Sequence, residues 1–191
     1  MEERSLDLSA GKLTYFQAGS GRPLLYLHPA GGARRSRVLE GLGQSFSLYV
    51  PVIPGSGGAA LVAQFVERAI GGRCDVMGWS SGAALALRLA LERPELVDHL
   101  VLESPGDGKD EALLARAGEI GQTTLIVQGT GDGTISAPGA RLLKGALKKA
   151  FLVYVWQAGH DLEADQPERV AALVRDFLER SDSFMVNRGN I

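Results

Sequence analysis

Several features that would narrow the class of a protein are scarce in this sequence. It has one cysteine, Cys74, so the chain can form neither an internal disulfide nor an all-cysteine metal site. Its three histidines lie far apart, and none shows the i, i+4 spacing of a helical zinc site. No apolar run approaches the ~20 residues that cross a bilayer. We therefore expect no metal, no cofactor and no membrane span.

Positive and negative charges are nearly balanced in this sequence. The net charge is −2, and lysine and arginine form no cluster that would follow a phosphate backbone, so we expect no nucleic-acid partner. The opening Met1–Arg4 lacks the basic-then-apolar order of a signal peptide, which favours a cytoplasmic location. With 191 residues, 45% of them hydrophobic, the chain can bury a sizeable core. We predict a single domain over residues 1–191, of which 181–191 form a loosely held tail.

Short apolar runs of strand length alternate with longer stretches of helical periodicity. Two runs, Leu24–Leu27 and Leu125–Val127, are apolar on both faces, which is typical of strands buried between two helical layers. The alternation predicts an α/β fold whose mostly parallel sheet of seven to eight strands is sandwiched by helices. The predicted strands are Leu6–Ser9, Lys12–Gln17, Pro23–His28, Phe46–Ile53, Cys74–Met77, Val97–Leu102, Thr123–Gln128 and Phe151–Trp156. The predicted helices are Ala59–Ile70, Ser81–Glu92, Asp110–Ile120, Pro138–Lys148 and Gln166–Glu179.

A candidate nucleophile stands where a predicted buried strand gives way to a helix, in Gly78-Trp79-Ser80-Ser81-Gly82. The glycine-x-serine-x-glycine string alone is weak evidence in a chain with 25 glycines, but its strand-turn-helix setting is the one that a nucleophilic serine requires. The tight turn strains the serine backbone and projects its hydroxyl at the carboxyl edge of the sheet. Ser80 is the predicted nucleophile. A glycine- and serine-rich connection without reactivity is the alternative.

Two later segments place an acid and a histidine after predicted strands. Gly129-Thr130-Gly131-Asp132-Gly133 follows one strand, and Ala158-Gly159-His160 follows the last. A serine hydroxyl is a poor nucleophile at neutral pH, and His160 would take its proton as general base. Asp132 would fix the imidazole tautomer and stabilise the imidazolium. The glycine-rich loop also allows a phosphate-cradling role or a purely structural turn, although it lacks the last glycine of a dinucleotide fingerprint and the Lys-Ser/Thr of a P-loop.

These segments, together with Leu27-His28-Pro29-Ala30-Gly31-Gly32, resemble the α/β-hydrolase superfamily of serine hydrolase type over about residues 12–180. The resemblance implies the chain order nucleophile, acid, base, and an oxyanion hole built from backbone N–H groups. Pro29 stands where glycine is usual and has no N–H to donate. The implied donors are therefore Ala30, with Gly31 as an option, and Ser81.

The resemblance leaves one ambiguity about the acid. Glu103 closes the sixth predicted strand, another position from which some relatives deliver it. We prefer Asp132 because its turn matches the superfamily more fully. Asp161 adjoins the base and could compete for it, although adjacent side chains usually point apart.

Many relatives carry a helical cap between the sixth strand and the next helix. About twenty residues, Glu103–Thr123, are too few for a multi-helix lid, so the chain reads as a minimal, capless form with an open site. Apolar surface that a cap would cover would then be exposed, which is compatible with a homodimer or with lipid contact. Trp79 and Trp156 flank the catalytic loops, where they either line a shallow acyl site or pack in the core. Gly106-Asp107-Gly108 resembles a joint where a cap was removed. This leaves open that the chain is an engineered or natural minimal form of a larger, capped hydrolase.

The expected function is hydrolysis of small, accessible carboxylic esters through an acyl-enzyme on Ser80, and the expected partner is a small-molecule, ester-like substrate. Thioesterase, lipase and carbon–carbon-bond hydrolase activities stay open, because the scaffold alone does not set the substrate. The non-enzymatic alternative is a minimal, engineered or degenerate scaffold with weak or no catalysis. Its motivation is the missing cap and Pro29 in the oxyanion loop.

Overall fold

An eight-stranded sheet with helices on both faces is the centre of the computed structural model, which describes residues 1–9, 11–55, 57–106, 110–135 and 137–184. The strands are β1 (Glu2–Leu8), β2 (Gly11–Ala18), β3 (Arg22–Leu27), β4 (Phe46–Pro51), β5 (Cys74–Trp79), β6 (Val97–Glu103), β7 (Thr123–Gly129) and β8 (Ala150–Val155). The helices are α1 (Arg37–Leu42), α2 (Ala59–Phe65), α3 (Ser81–Glu92), α4 (Glu111–Arg116), α5 (Ala137–Ala146), α6 (Leu162–Asp165) and α7 (Pro167–Arg180).

The strands follow one another across the sheet in the order β1-β2-β4-β3-β5-β6-β7-β8. β2 is antiparallel to both of its neighbours, and the other five pairs are parallel. The parallel strands alternate with helices that cross over the sheet, so their carboxyl ends meet at one edge, where α/β folds bind ligands. The predicted fold class is thereby confirmed.

Two apolar layers hold the helices to the sheet. One layer packs α2, α3 and α5 against one face, through residues such as Leu61, Ala83 and Leu143. The other packs α1 and α7 against the opposite face, through residues such as Val38 and Val170. Every residue of β5 and of β7 is buried, as expected for central strands covered on both sides.

All the predicted strands and helices are present, and two short helices were not predicted. α1 has only six residues; it begins after Ser36, whose side chain accepts a hydrogen bond from Leu39 N–H. α6 has four residues and begins after Asp161. The last helix, α7, begins at Pro167 without a side-chain cap, and the carboxylate of the preceding Asp165 accepts the N–H of Gly159 instead.

The first four residues of the predicted loosely held tail are ordered against the fold. Residues Ser181–Ser183 form a helical turn, and Phe184 is buried among aromatic rings, with its ring centroid 5.2 Å from that of Phe151 and 5.4 Å from that of Phe177. The apolar gain from burying one aromatic side chain fixes these four residues. Positions 185–191 lie outside the described residues, as do positions 107 and 108 of the predicted joint. Within the described ranges no helix is long and apolar enough to cross a membrane.

Candidate active site

Ser80 lies in the turn between β5 and α3 with a strained backbone, φ 54° and ψ −115°. Its N–H donates to the carbonyl of Glu103, at the end of the neighbouring strand, over 2.9 Å. The flanking glycines are sterically required. A Cβ on Gly82 would lie 2.0 Å from the carbonyl oxygen of Leu27, and one on Gly78 would lie 2.4 Å from the carbonyl oxygen of Gly82. The sequence thus folds into the tight turn that projects the serine at the carboxyl edge of the sheet.

The three side chains predicted from the sequence meet at this edge. His160 Nε2 lies 3.2 Å from Ser80 Oγ, and His160 Nδ1 lies 3.0 Å from Asp132 Oδ2. With a carboxylate at Nδ1, that nitrogen carries the ring proton, and Nε2 is left as an acceptor facing the serine hydroxyl. The imidazole is about one-quarter exposed, whereas the Asp132 side chain is fully buried. The arrangement can therefore move a proton from the serine to the histidine.

Asp132 is held in its ionised form by several donors. Its Oδ1 accepts the backbone N–H groups of Thr134 and Ile135 at 2.8 and 2.9 Å, and its Oδ2 accepts the side-chain amide of Gln128 at 2.9 Å. Burial alone would raise the pKa of Asp132, but these hydrogen bonds and the one with His160 outweigh it, so the pKa is lowered. The carboxylate therefore keeps its charge at neutral pH.

The glycines of the Asp132 loop serve packing against the histidine loop. A Cβ on Gly129 would lie 2.3 Å from the carbonyl oxygen of Gly159, and Gly131 N–H donates to the carbonyl of Ala158 over 2.8 Å. Thr130 N–H donates to the carbonyl of Val155. Because protein carbonyls already accept these N–H groups, the loop does not offer them to a phosphate, which argues against the cradle that the sequence left open.

Two side chains that we did not predict hold the histidine loop in place. The carbonyl oxygen of His160 accepts the indole N–H of Trp79 and the hydroxyl of Ser104, each over 3.1 Å. Ser104 is buried and has φ 40°, a conformation that aims its short side chain at this carbonyl. Trp79 is thus a buried anchor and not part of an acyl site, whereas Trp156 is 66% exposed. A hydrogen-bonding serine after a strand carries no distinctive sequence signal.

Arg34 joins the loop after β3 to the histidine loop. Its guanidinium lies 4.4 Å from the ring centroid of Trp79 and forms an ion pair with Asp161. Asp161 also accepts the N–H of Ala164 and so caps α6. Asp161 was a potential competitor for the base, but its carboxylate is bound to Arg34 and to the helix.

The loop after β3 is fixed by His28. Ile53 N–H donates to His28 Nε2 over 3.1 Å, so the ring proton is on Nδ1 and donates to the carbonyl of Pro29 over 2.7 Å. The same carbonyl accepts Gly32 N–H over 3.0 Å. The turn presents Ala30 N–H toward the start of α3, where it donates to Ser81 Oγ over 2.8 Å. Both backbone donors implied by the resemblance, Ala30 and Ser81, therefore lie beside Ser80.

Glu103, the alternative acid, is not brought to the histidine. Its side chain is fully buried, and no donor among the described residues reaches either carboxyl oxygen. A proton on the carboxyl would satisfy it, and the neighbouring charge that acts on it most strongly is the carboxylate of Glu163, whose Oε2 likewise has no partner among the described residues. Tyr26 O–H donates to that carboxylate over 2.7 Å. Burial and the charge of Glu163 raise the pKa of Glu103 well above its usual range.

The buried acid pair predicts a pH-dependent effect of Glu103→Gln on stability. In the unfolded chain a glutamate loses its proton near pH ~4.3, whereas folded Glu103 keeps it, so the wild type loses stability as the pH rises above that value. Glutamine does not titrate, and its amide can donate to Glu163 as the protonated carboxyl does. Between pH 5 and 8 the free energy of unfolding of the variant should therefore exceed that of the wild type by about 1 kcal/mol or more. This difference raises Tm by roughly 2–4 °C.

Thermal unfolding followed by circular dichroism at pH 5, 6.5 and 8 would measure this gain. Glu119→Gln is the control, because Glu119 is exposed and its hydrogen bond with Arg116 lowers its pKa. The Tm difference between Glu119→Gln and the wild type should not increase as the pH rises. A Tm difference for Glu103→Gln that stays constant over the three pH values would contradict a shared proton between Glu103 and Glu163.

The strand order, the serine turn after β5, and the acid and histidine after β7 and β8 define the class: the chain has the α/β-hydrolase fold. It superposes with a TM-score of 0.82 on MGS-MChE2, an α/β-hydrolase enzyme from the metagenome of lagoon sediments at Mar Chica, Morocco, with 20% identity over 94% of this chain and 99% of that one. The TM-score is also 0.82 with a meta-cleavage product hydrolase from Pseudomonas fluorescens IP01, at 14% identity over 93% of this chain and 97% of that one.

A curated protein is more similar in sequence over a shorter region. The pimeloyl-[acyl-carrier protein] methyl ester esterase of Nitrosomonas europaea is 38% identical over an alignment of 96 residues, and the match covers 44% of this chain and 37% of the esterase. The match thus covers little more than a third of that relative. No model of a known protein family matches the sequence.

Proposed function

We propose that this chain is a serine hydrolase that cleaves small, accessible carboxylic esters. The observation that carries the proposal is the unbroken contact from Ser80 Oγ through the imidazole of His160 to the carboxylate of Asp132, at 3.2 and 3.0 Å. The curated relative of similar sequence is named for a methyl ester, which supports an ester as the substrate class.

In the proposed acylation step, Ser80 Oγ bonds to the ester carbonyl carbon while its proton passes to His160 Nε2. The carbonyl electron pair moves to oxygen, which becomes an oxyanion that the backbone N–H groups beside Ser80 stabilise. When the intermediate collapses, the bond between the carbonyl carbon and the alkoxy oxygen breaks, and His160 returns the proton to the leaving alcohol. Water then repeats the sequence on the acyl-enzyme and releases the acid. Asp132 stays ionised and stabilises the imidazolium in both halves.

Site exposure supports small and unhindered substrates. Ala30, Gly31 and Ser81 are exposed, and Ser80 and His160 are partly exposed. Only seven residues separate β6 from α4, and the four described among them form no helix. An open site without a covering element offers little area for burying a large acyl group, so recognition centres on the ester itself.

A fluorophosphonate probe tests the proposal directly, because it phosphonylates a serine only where the hydroxyl is activated. We expect folded wild-type protein to gain one probe mass, with peptide mass spectrometry placing it on Ser80, and Ser80→Ala to gain none. Heat-denatured wild type is the second control. Absence of label in folded protein would favour a degenerate scaffold. A panel of p-nitrophenyl esters from acetate to decanoate, run on the same two proteins, would then report the acyl length that the open site accepts.

A further inference from the structure

The side chain of Ser81 contacts Ala30 N–H, one of the two backbone donors expected for the oxyanion hole. Ser81 directly follows the predicted nucleophile, is the first residue of α3, a helix of 12 residues, and is exposed. No acceptor within the described ranges takes its backbone N–H, which is one of the unpaired donors of the helix N-terminus. Its Oγ accepts the N–H of Ala30 over 2.8 Å. The hydroxyl therefore accepts one of the two predicted backbone donors, and it belongs to the residue that supplies the other.

The direction of the Ala30 bond fixes what the hydroxyl can do. An N–H can only donate, so Ser81 Oγ uses a lone pair to accept it and keeps its own proton for another partner. No acceptor among the described residues takes that proton. The donor cannot easily turn away, because the Pro29 carbonyl that precedes it is held by both His28 Nδ1–H and Gly32 N–H. The hydroxyl is thus oriented, polarised and unsatisfied.

We propose that the Ser81 hydroxyl is a catalytic donor that hydrogen-bonds the oxyanion alongside the Ser81 backbone N–H, with Ala30 N–H holding and polarising it. The inference rests on the proposed ester hydrolysis and changes the composition of the oxyanion hole: Ala30 acts through Ser81 and not directly on the substrate. A hydroxyl and a backbone N–H of one residue at a helix N-terminus can converge on a single anionic oxygen, where the helix dipole also favours negative charge.

The competing possibility is that the hydroxyl only occupies the hole until substrate displaces it. The two possibilities predict opposite changes in kcat when the hydroxyl is removed. If it donates to the oxyanion, Ser81→Ala removes one stabilising donor and kcat falls by on the order of 10²-fold, while KM changes little because the interaction strengthens only as charge develops. If it merely fills the hole, Ser81→Ala frees Ala30 N–H for the oxyanion, and kcat stays equal or rises.

The experiment compares wild type, Ser81→Ala and Ser81→Thr with p-nitrophenyl acetate. Ser81→Thr keeps the hydroxyl and should restore kcat to within about tenfold of wild type. Affinity for phenylboronic acid, which forms a tetrahedral anionic adduct on a nucleophilic serine, should fall in Ser81→Ala in parallel with kcat. Equal Tm values for the three proteins exclude a folding effect, since the first helical turn tolerates alanine.

An unchanged or increased kcat in Ser81→Ala would overturn the inference, as would an unchanged boronate affinity. Failure of the proposed function would look different: wild-type protein itself would neither turn over the ester nor take the fluorophosphonate label on Ser80. The wild type therefore tests the proposed function, and Ser81→Ala tests the role of the Ser81 hydroxyl.

Discussion

Replacing His160 with alanine should lower kcat for p-nitrophenyl acetate by about 10⁴- to 10⁶-fold. Without the imidazole at 3.2 Å from Ser80 Oγ, nothing accepts the serine proton, and the neutral hydroxyl attacks an ester only very slowly. Tm should change little, because the histidine loop stays anchored through the backbone carbonyl of residue 160, which alanine retains.

The chain offers a matched control for this substitution. His99 is also a partly buried histidine whose Nδ1 contacts a carboxylate, Asp75, at 2.7 Å, but it lies near the amino end of β6, away from Ser80. His99→Asn keeps a donor for the buried Asp75 and should leave kcat within about threefold of wild type. If His160→Ala retained more than a tenth of the wild-type kcat, the histidine would not be the base, and the proposed mechanism would fail.

Asp132→Asn is expected to lower kcat by about 10⁴-fold. The two backbone N–H groups of Thr134 and Ile135 would hold the amide oxygen of the asparagine, so its NH₂ group would face His160 Nδ1. Two donors cannot bond each other, and the imidazole would move its proton to Nε2 to present an acceptor at Nδ1. In that tautomer Nε2 cannot take the proton of Ser80.

Glu103→Gln gives the comparison that decides between the two candidate acids. Glu103 interacts with Glu163, and no hydrogen bond among the described residues joins it to His160, so kcat of Glu103→Gln should stay within about threefold of wild type. Steady-state kinetics at pH 7.5 on both variants measure the contrast. A 10³-fold loss in Glu103→Gln, with Asp132→Asn near wild type, would reverse the assignment of the acid.

The sheet and the three principal side chains could be predicted because their signals are local. A run such as Leu125–Val127 is apolar at consecutive positions only when both faces of a strand are buried, and the glycines around Ser80 mark a turn that admits no Cβ. β1 was predicted to begin at Leu6 but begins at Glu2. Its first residues are charged because the strand lies at an edge of the sheet, where polar side chains face solvent and hide the alternation.

The supporting contacts could not be predicted because they join residues far apart in sequence. Glu103 and Glu163 are 60 positions apart, and two acids on different elements give no sign that they share a proton. Trp79, the last residue of β5, and Ser104, which follows β6, reach the same carbonyl. The superfamily resemblance points to the backbone of Ser81 alone and gives no sign of a role for its side chain. These contacts depend on the packed geometry of the loops and not on local pattern.

The strained backbone of Ser80 bears on how this protein can be improved. A non-glycine residue with φ near 54° costs about 1–3 kcal/mol, and glycine adopts that conformation with little penalty. A mutant library screened only for heat tolerance would therefore enrich glycine at position 80 and return folded, inactive clones. Each round of engineering on this scaffold should therefore screen for ester hydrolysis as well as for heat tolerance.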